Sequence, residues 1–263
     1  MTPYLAICRA RGLALLQYRA AALAGLGTQL FWGLIRMMIF AAFYAYTSNP
    51  QPMTLEQVIT YIWLGQALLM LILWRVDPEL EEMVRTGNVA YELTKPVDLY
   101  ALWYAREVAA RVTPTLMRSL PLSILALACL GMGLPASPSA LGAFLITLAL
   151  AVLLSAAVTT LGTVLLLWTI SGRGITSLLT AGVWIFSGLI IPLPFFPEWL
   201  QPVIQVLPFR GILDTPFRLY MGHLPPVEVL PLAAHQLVWI GALVLVGRGL
   251  LGWGRRRLVV QGG

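Results

Sequence analysis

Few side chains in this sequence could do chemistry, and their positions limit what it could be. Arg36 lies inside a long apolar run, Ala20 to Tyr46. It stands about ten residues before the end of that run, which at roughly 1.5 Å per residue is near mid-depth of a membrane span. A charge at that depth is costly and marks a functional site by default. Arg36 either lines a polar path and meets an anionic substrate group, or is satisfied by backbone carbonyls of a neighbouring broken segment. Ser187 and His235 fall in separate apolar runs, where a serine is commonly bonded back to its own helix. The single lysine, Lys95, stands between Thr94 and Pro96, so the GxxxxGK[ST] phosphate loop is missing. HExxH and CxxC spacings are also missing, and Cys8 and Cys129 are too far apart in sequence to suggest a disulfide framework or metal pair. The chain therefore carries no recognisable ATP or metal site. Work against a gradient would draw on another chain or on an ion gradient. Ion coupling calls for carboxylates within the spans, and the cores of the apolar runs contain none.

The elements that position these residues are membrane helices. Of 263 residues, 59% are hydrophobic and 11% charged, against about 25% charged in soluble domains. Six runs approach the roughly 20 apolar residues a span needs: Ala20 to Tyr46, Val58 to Trp74, Val112 to Leu134, Leu141 to Ile170, Ile175 to Leu193, and Val227 to Leu251. The expected fold is all-α: one six-span membrane domain over residues 1–263, with an N-terminal interfacial helix within 1–19. With the N-terminus cytoplasmic, all of the 17 cations except Arg36, Arg210 and Arg218 fall on the cytoplasmic side. That is the asymmetry of the positive-inside rule. The basic balance thus reflects topology and not nucleic-acid binding, and both termini are expected inside. The tail Arg255-Arg256-Arg257 is an anchor suited to anionic lipid headgroups.

Two segments interrupt this plain pattern. The first, residues 75–111, is a charged cytoplasmic island. Asp77 and Pro78 form an N-cap and first-turn proline, and Glu79, Glu81 and Glu82 load the positive end of a helix dipole. Leu80, Met83 and Val84 give this helix an apolar face, Arg85 follows, and Gly87-Asn88 ends it. Lys95-Pro96 precedes a further helix from about Asp98. The second, residues 192–226, follows a membrane-grade run with Pro192, Pro194, Pro197, Pro202, Pro208 and Pro216, interleaved with Phe195, Phe196, Trp199 and Phe209. Each proline removes a backbone donor, and broken backbone at membrane depth persists only where protein covers it or it lines a wet cavity. This segment reads as short external or re-entrant helices. Between the first two runs, Thr54 and Gln57 have capping-box spacing.

The sequence SGLIIPLPFFPEWLQ, followed by LPFR and TPFRLYMG, resembles the end of ABC-2-type exporter permeases. The likeness is to a six-span bacterial sub-family without its own ATPase domain. In the charged island Gly87, Leu93, Pro96 and Asp98 match the coupling region of that sub-family. The resemblance implies that residues from Asp77 to Asn88, with Leu93 and Pro96, couple to an ATPase. It implies two copies of an ABC ATPase, which hold the ATP and magnesium, and a second permease, identical or paralogous, in a bacterial cytoplasmic membrane. Pro192, Pro194, Phe195, Phe196, Pro197, Trp199, Pro208 and Phe209 would form an external gate. Arg36 and Ser187 would border the path of an amphiphilic or hydrophobic substrate, with Gly172, Gly174, Gly182 and Gly188 allowing close helix approach. Other classes are an ion-coupled carrier, a membrane scaffold or an intramembrane serine protease. The last is a poor match: Trp-Ile-Phe precedes Ser187, without the glycine that rhomboid-type enzymes carry two positions ahead.

Overall fold

The computed structural model describes residues 3–16, 19–72, 76–93, 96–168 and 173–255. Among the described residues the regular elements are helices, with the α-helices in the order α1 (Pro3–Leu16), α2 (Arg19–Tyr46), α3 (Leu55–Ala67), α4 (Pro78–Arg85), α5 (Val89–Leu93), α6 (Leu99–Cys129), α7 (Pro138–Leu165), α8 (Arg173–Phe186), α9 (Gln201–Val206), α10 (Asp214–Tyr220) and α11 (Val229–Arg255). Thr94, Lys95, Trp74, Arg75, Ser171, Gly172, Arg256 and Arg257 lie outside the described residues.

Among the described residues, four helical stretches are long and apolar enough to cross a membrane: Ala24–Tyr46, Leu99–Cys129, Pro138–Trp168 and Pro226–Gly254. The second and fifth expected spans are shorter and broken. The 13-residue α3 gives way to a 3-10 turn at Leu69–Leu71, and α8 has 14 residues. The fifth helix therefore ends before the expected Leu193. Its chain turns at Gly188, where φ is +87°, a conformation that favours glycine. The third expected span also changes. Its apolar run from Val112 lies within the helix expected from about Asp98, which begins at Leu99 with the Asp98 carboxylate accepting from Ala101 N at 2.7 Å.

The reason one helix holds both is internal neutralisation. Arg106, Glu107 and Arg111 lower local hydropathy, but Arg111 Nη1 donates to Glu107 Oε2 at 2.6 Å one turn away, with both side chains 6% exposed. Arg111 Nε also donates to Ser155 Oγ at 2.7 Å, and Nη2 to Thr159. The helix can thus carry charge into the bundle. The stated absence of intramembrane carboxylates needs the same correction: Glu107 is buried within a span-length helix, and Asp214 is buried in the main core.

One core, built on α3, α7 and α10, holds Tyr61, Trp63, Leu154, Ile212 and Phe217. A second, at the other end of the bundle, joins Leu80, Val89, Leu99, Trp103, Val164 and Leu251. The two ends are therefore built differently: α1, α4 and α5 gather at one, and the broken 192–226 segment at the other.

Candidate functional site

At the α4 end, local capping forms as the sequence dictates. Asp77 accepts from Glu79 N at 3.0 Å, and Gly87 takes φ +76° just past the helix. Asp77 and Glu79 also face two arginines from other helices. Arg11 of α1 reaches Asp77 at 2.9 Å and Glu79 at 3.1 Å, and Arg106 of α6 reaches Glu79 at 2.6 Å and Asp77 at 3.4 Å. Two carboxylates and two guanidinia thus bind α4 to α1 and α6. Cys8 of α1 donates to Ala105 O at 3.2 Å, and burial raises its thiol above the usual range. Arg248 of α11 closes on Asp98 at 3.0 Å.

The apolar face of α4 turns inward. Leu80 is fully buried, with Met83 and Val84 packed against the same cluster, so these three fasten α4 to the bundle. Glu82, Arg85, Thr86, Gly87 and Asn88 face outward, with Arg85 and Glu82 paired at 2.7 Å. Glu81 is half-buried and Pro96 exposed, while the side chain of Leu93 lies outside the described residues.

At the other end, the proline-broken backbone is satisfied by side chains from several helices. Arg36 Nη2 donates to the carbonyls of Leu189 and Ile190, the latter at 2.5 Å, taking up acceptors freed where α8 stops. Gln201 donates to Leu193 O at 2.8 Å and Phe196 O at 3.0 Å. Gln236, fully buried in α11, donates to Gly211 O at 2.7 Å and Thr147 O at 2.9 Å. His235 and Trp239 both donate to Val206 O, at 3.2 and 2.8 Å. Tyr61 donates to Asp214 at 3.0 Å, Arg218 stands 3.6 Å from the same carboxylate, and Asp214 N donates to Ser187 O at 3.1 Å. Ser187 is fully buried with its Oγ unpartnered, and the His235 proton is committed to backbone, so no serine–histidine couple forms from them. In the loop after α10, burial and then the charge of Arg218 hold His223 below the usual imidazole range.

The residues expected at the external gate divide by burial. Pro192 and Pro208 are buried, and Pro194, Phe195, Phe196 and Phe209 are half-buried. Pro197 is exposed, as is Trp199 at 75%. Phe195 meets Phe40 edge-on at 5.8 Å and Phe43 at 6.4 Å. Phe209 lies over Gly182, where an added Cβ would sit 3.5 Å from its ring. Gly174, by contrast, has open space around it.

Below Phe195 a groove of about 1250 Å³ runs between α2, the end of α3, α6 and α8. Its walls are mostly apolar, with Trp32 and Phe43 among them. Arg36 and Arg118 both line it, Gln29 and Gln66 contribute to the wall, and none of its lining residues is acidic. Arg118 folds over Gly25, where an added Cβ would lie 2.6 Å from the guanidinium.

Long apolar helices bordering an apolar groove describe a membrane protein. Residues 30–262 match the family described as ABC-2 family transporter protein. The chain belongs to that family, the membrane part of ABC transporters, which is not itself catalytic and works with an ABC ATPase. No curated protein and no solved structure matches the chain.

Of the functional side chains, sequence reasoning missed Gln201, Gln236, Asp214 and the Arg11–Arg106–Asp77–Glu79 cluster. The Glu107–Arg111 and Asp214–Arg218 pairs had a readable signal, the four-residue spacing that places two side chains on one helical face.

Proposed function

We propose that this chain is the permease subunit of an ATP-driven exporter in a bacterial cytoplasmic membrane. It moves an amphiphilic or hydrophobic substrate with energy from two copies of a separate ATPase. On this reading α3 and α8 complete a six-span topology with both termini cytoplasmic, and a second permease, identical or paralogous, completes the path. The helix α4 with Gly87 and Asn88 is the coupling element, and the 192–226 segment is the external gate.

The observation that carries the proposal is the two-sided build of α4. Its apolar residues and its Asp77–Glu79 edge are committed to the bundle, while Glu82, Arg85, Thr86, Gly87 and Asn88 remain outward. A helix held firmly on one side and presented on the other can receive a push and transmit it. The buried carboxylates do not favour an ion-coupled carrier, since Glu107 and Asp214 both face guanidinium partners.

The test exchanges the outward pair, Glu82→Lys with Arg85→Glu, which keeps the pair and reverses the surface pattern. Wild type extracted in mild detergent is expected to bring an ATP-binding-cassette protein with it. The exchanged variant is expected to insert normally and lose that partner and its stimulated ATPase activity. Undiminished co-purification and activity in the variant would remove α4 as the docking element. No ATPase with wild type would remove the permease reading.

A further inference from the structure

The broken segment repeats a tripeptide, Pro208-Phe209-Arg210 and Pro216-Phe217-Arg218, with Asp214 midway between the two arginines. The apolar residues of each copy are anchored. Phe209 stacks on Phe186 at 6.4 Å, and Phe217, fully buried, meets Tyr61 edge-on at 5.1 Å. A 3-10 turn at Phe209–Gly211 leads into α10, so steps of four residues bring Arg210, Asp214 and Arg218 toward one side. The charges on that side do not balance. Asp214 is buried, accepts from Tyr61 at 3.0 Å and has Arg218 at 3.6 Å. Arg210 is half-buried, yet among the described residues it has no ion pair and no hydrogen bond, and its Nε is buried without a partner. Burial lowers its guanidinium below the usual range, which Asp214 opposes and Arg218 reinforces, and no other acidic side chain among the described residues acts on it. The remaining neighbours are basic: His235 lies within reach of the Arg210 charge, and His223 of the Arg218 charge.

A guanidinium drawn partly out of water stays costly until an opposite charge meets it, and its planar fork of donors fits phosphate oxygens. From this geometry we infer that Arg210, with Arg218 beside it, forms a site for an anionic phosphate, carried by a phospholipid headgroup or free in solution. Its depth favours the lipid. Val206, four residues before Arg210, is bonded by His235 in the first third of the crossing stretch Pro226–Gly254. Trp199 of the same segment is exposed, as a tryptophan at headgroup level is. The phosphate would then brace the broken segment where the protein supplies too few carboxylates. Assigning this end to the outer leaflet rests on the permease reading, whereas the site itself does not.

The experiment places the full chain in phosphatidylcholine nanodiscs in phosphate-free buffer and adds either phosphatidylglycerol or inorganic phosphate. By native mass spectrometry, wild type is expected to retain phosphatidylglycerol about tenfold more strongly than phosphatidylcholine, and to melt higher in its presence. Arg210→Gln is expected to lose most of that preference and of the melting shift. Arg210→Lys, which keeps the charge without the fork, is expected to keep part of both. In phosphatidylcholine alone Arg210→Gln is expected to melt at or above wild type, because it removes a cation that no protein group pairs. Arg218→Gln is not used, since it takes the cation from Asp214 and destabilises the fold in any lipid. A melting shift from inorganic phosphate alone, lost in Arg210→Gln, would support the site and assign it to soluble phosphate. An equal loss of melting temperature for Arg210→Gln with and without phosphatidylglycerol would overturn the inference, because that marks a structural arginine. The same lipid preference in wild type and Arg210→Gln would overturn it too. No readout involves the ATPase, so this site and the permease reading fail separately.

Discussion

Replacing Arg111 with methionine tests the claim that α6 carries charge into the bundle because the charge is neutralised there. The Arg111 guanidinium donates to the Glu107 carboxylate at 2.6 Å, to the Glu107 carbonyl at 2.9 Å, to Ser155 at 2.7 Å and to Thr159. The two hydroxyls keep their own acceptors, Leu71 O for Ser155 and Ser155 O for Thr159, so their loss is small. The carboxylate is different: at 6% exposed it would be left as a buried charge without its cation, at a cost of about 3–5 kcal/mol. Methionine is unbranched and adapts to the vacated space, so cavity effects are minor. The double variant Glu107→Leu/Arg111→Met removes both charges and should return to within about 1–2 kcal/mol of wild type, because a buried ion pair is worth little net of its desolvation. Denaturant unfolding in detergent micelles, followed by tryptophan fluorescence, measures both values in one double-mutant cycle. The reasoning fails if Arg111→Met costs under about 1 kcal/mol, or if the double variant is no more stable than the single one.

Two further perturbations address the break after α8 and the attachment of α4. Gly188→Ala forces a Cβ into a left-handed backbone position and against the Tyr61 hydroxyl, for a loss of about 2–4 kcal/mol. Gly27→Ala, with nothing within 4 Å of the new Cβ, should be neutral or stabilising by about 0.5–1 kcal/mol; thermal melts that rank the two equally would contradict this account of the break. Asp77→Ala removes a helix cap and the partner of Arg11 and Arg106, loosening α4 by about 1–2 kcal/mol, whereas Asp77→Asn keeps the cap and loses only the charge. Hydrogen exchange of the α4 amides should be faster in the alanine variant than in the asparagine one, and equal rates would show that the cap does not hold the helix.

What the sequence disclosed was local. The capping box at Thr54 and Gln57, the Asp77 cap and the glycine stop at Gly87 all depend on residues within a few positions, and all are present. The boundaries of the third and fifth spans were hidden because hydropathy averages over a window. It cannot register that Glu107 and Arg111 neutralise one another, or that Arg36, far away in sequence, takes the carbonyls that let α8 stop early. Asp214 sits in Leu-Asp-Thr-Pro, a sequence suited to an exposed turn. Only the inward folding of the 192–226 segment places it against Tyr61. The apolar face of α4 was legible, but its direction was not. A face of Leu80, Met83 and Val84 can meet a partner or its own bundle, and Trp103 and Leu99 decide that.

These tertiary ties also define a physical route between the two ends of the bundle. Through Asp77 and Glu79, α4 is joined to α1 and α6, and α6 is keyed to α7 by Arg111 on Ser155 and Thr159. Gln236 of α11 then clips Thr147 of α7 to Gly211 in the broken segment. Each link is a charge pair or a buried hydrogen bond, and the packed interior around them is stiff. If an ATPase displaces α4, sliding at any one link must break a buried polar contact at about 1–3 kcal/mol. Moving α6, α7 and the segment together breaks none of them. The crossing stretches of α2 and α11 are each only 11% buried, and α2 borders the groove. Rigid displacement of α6, α7 and the segment against α2 would change the groove, but it would have to break the Arg36 bonds to Leu189 O and Ile190 O and the Gln29 bond to Gln66 O unless α2 moves with them.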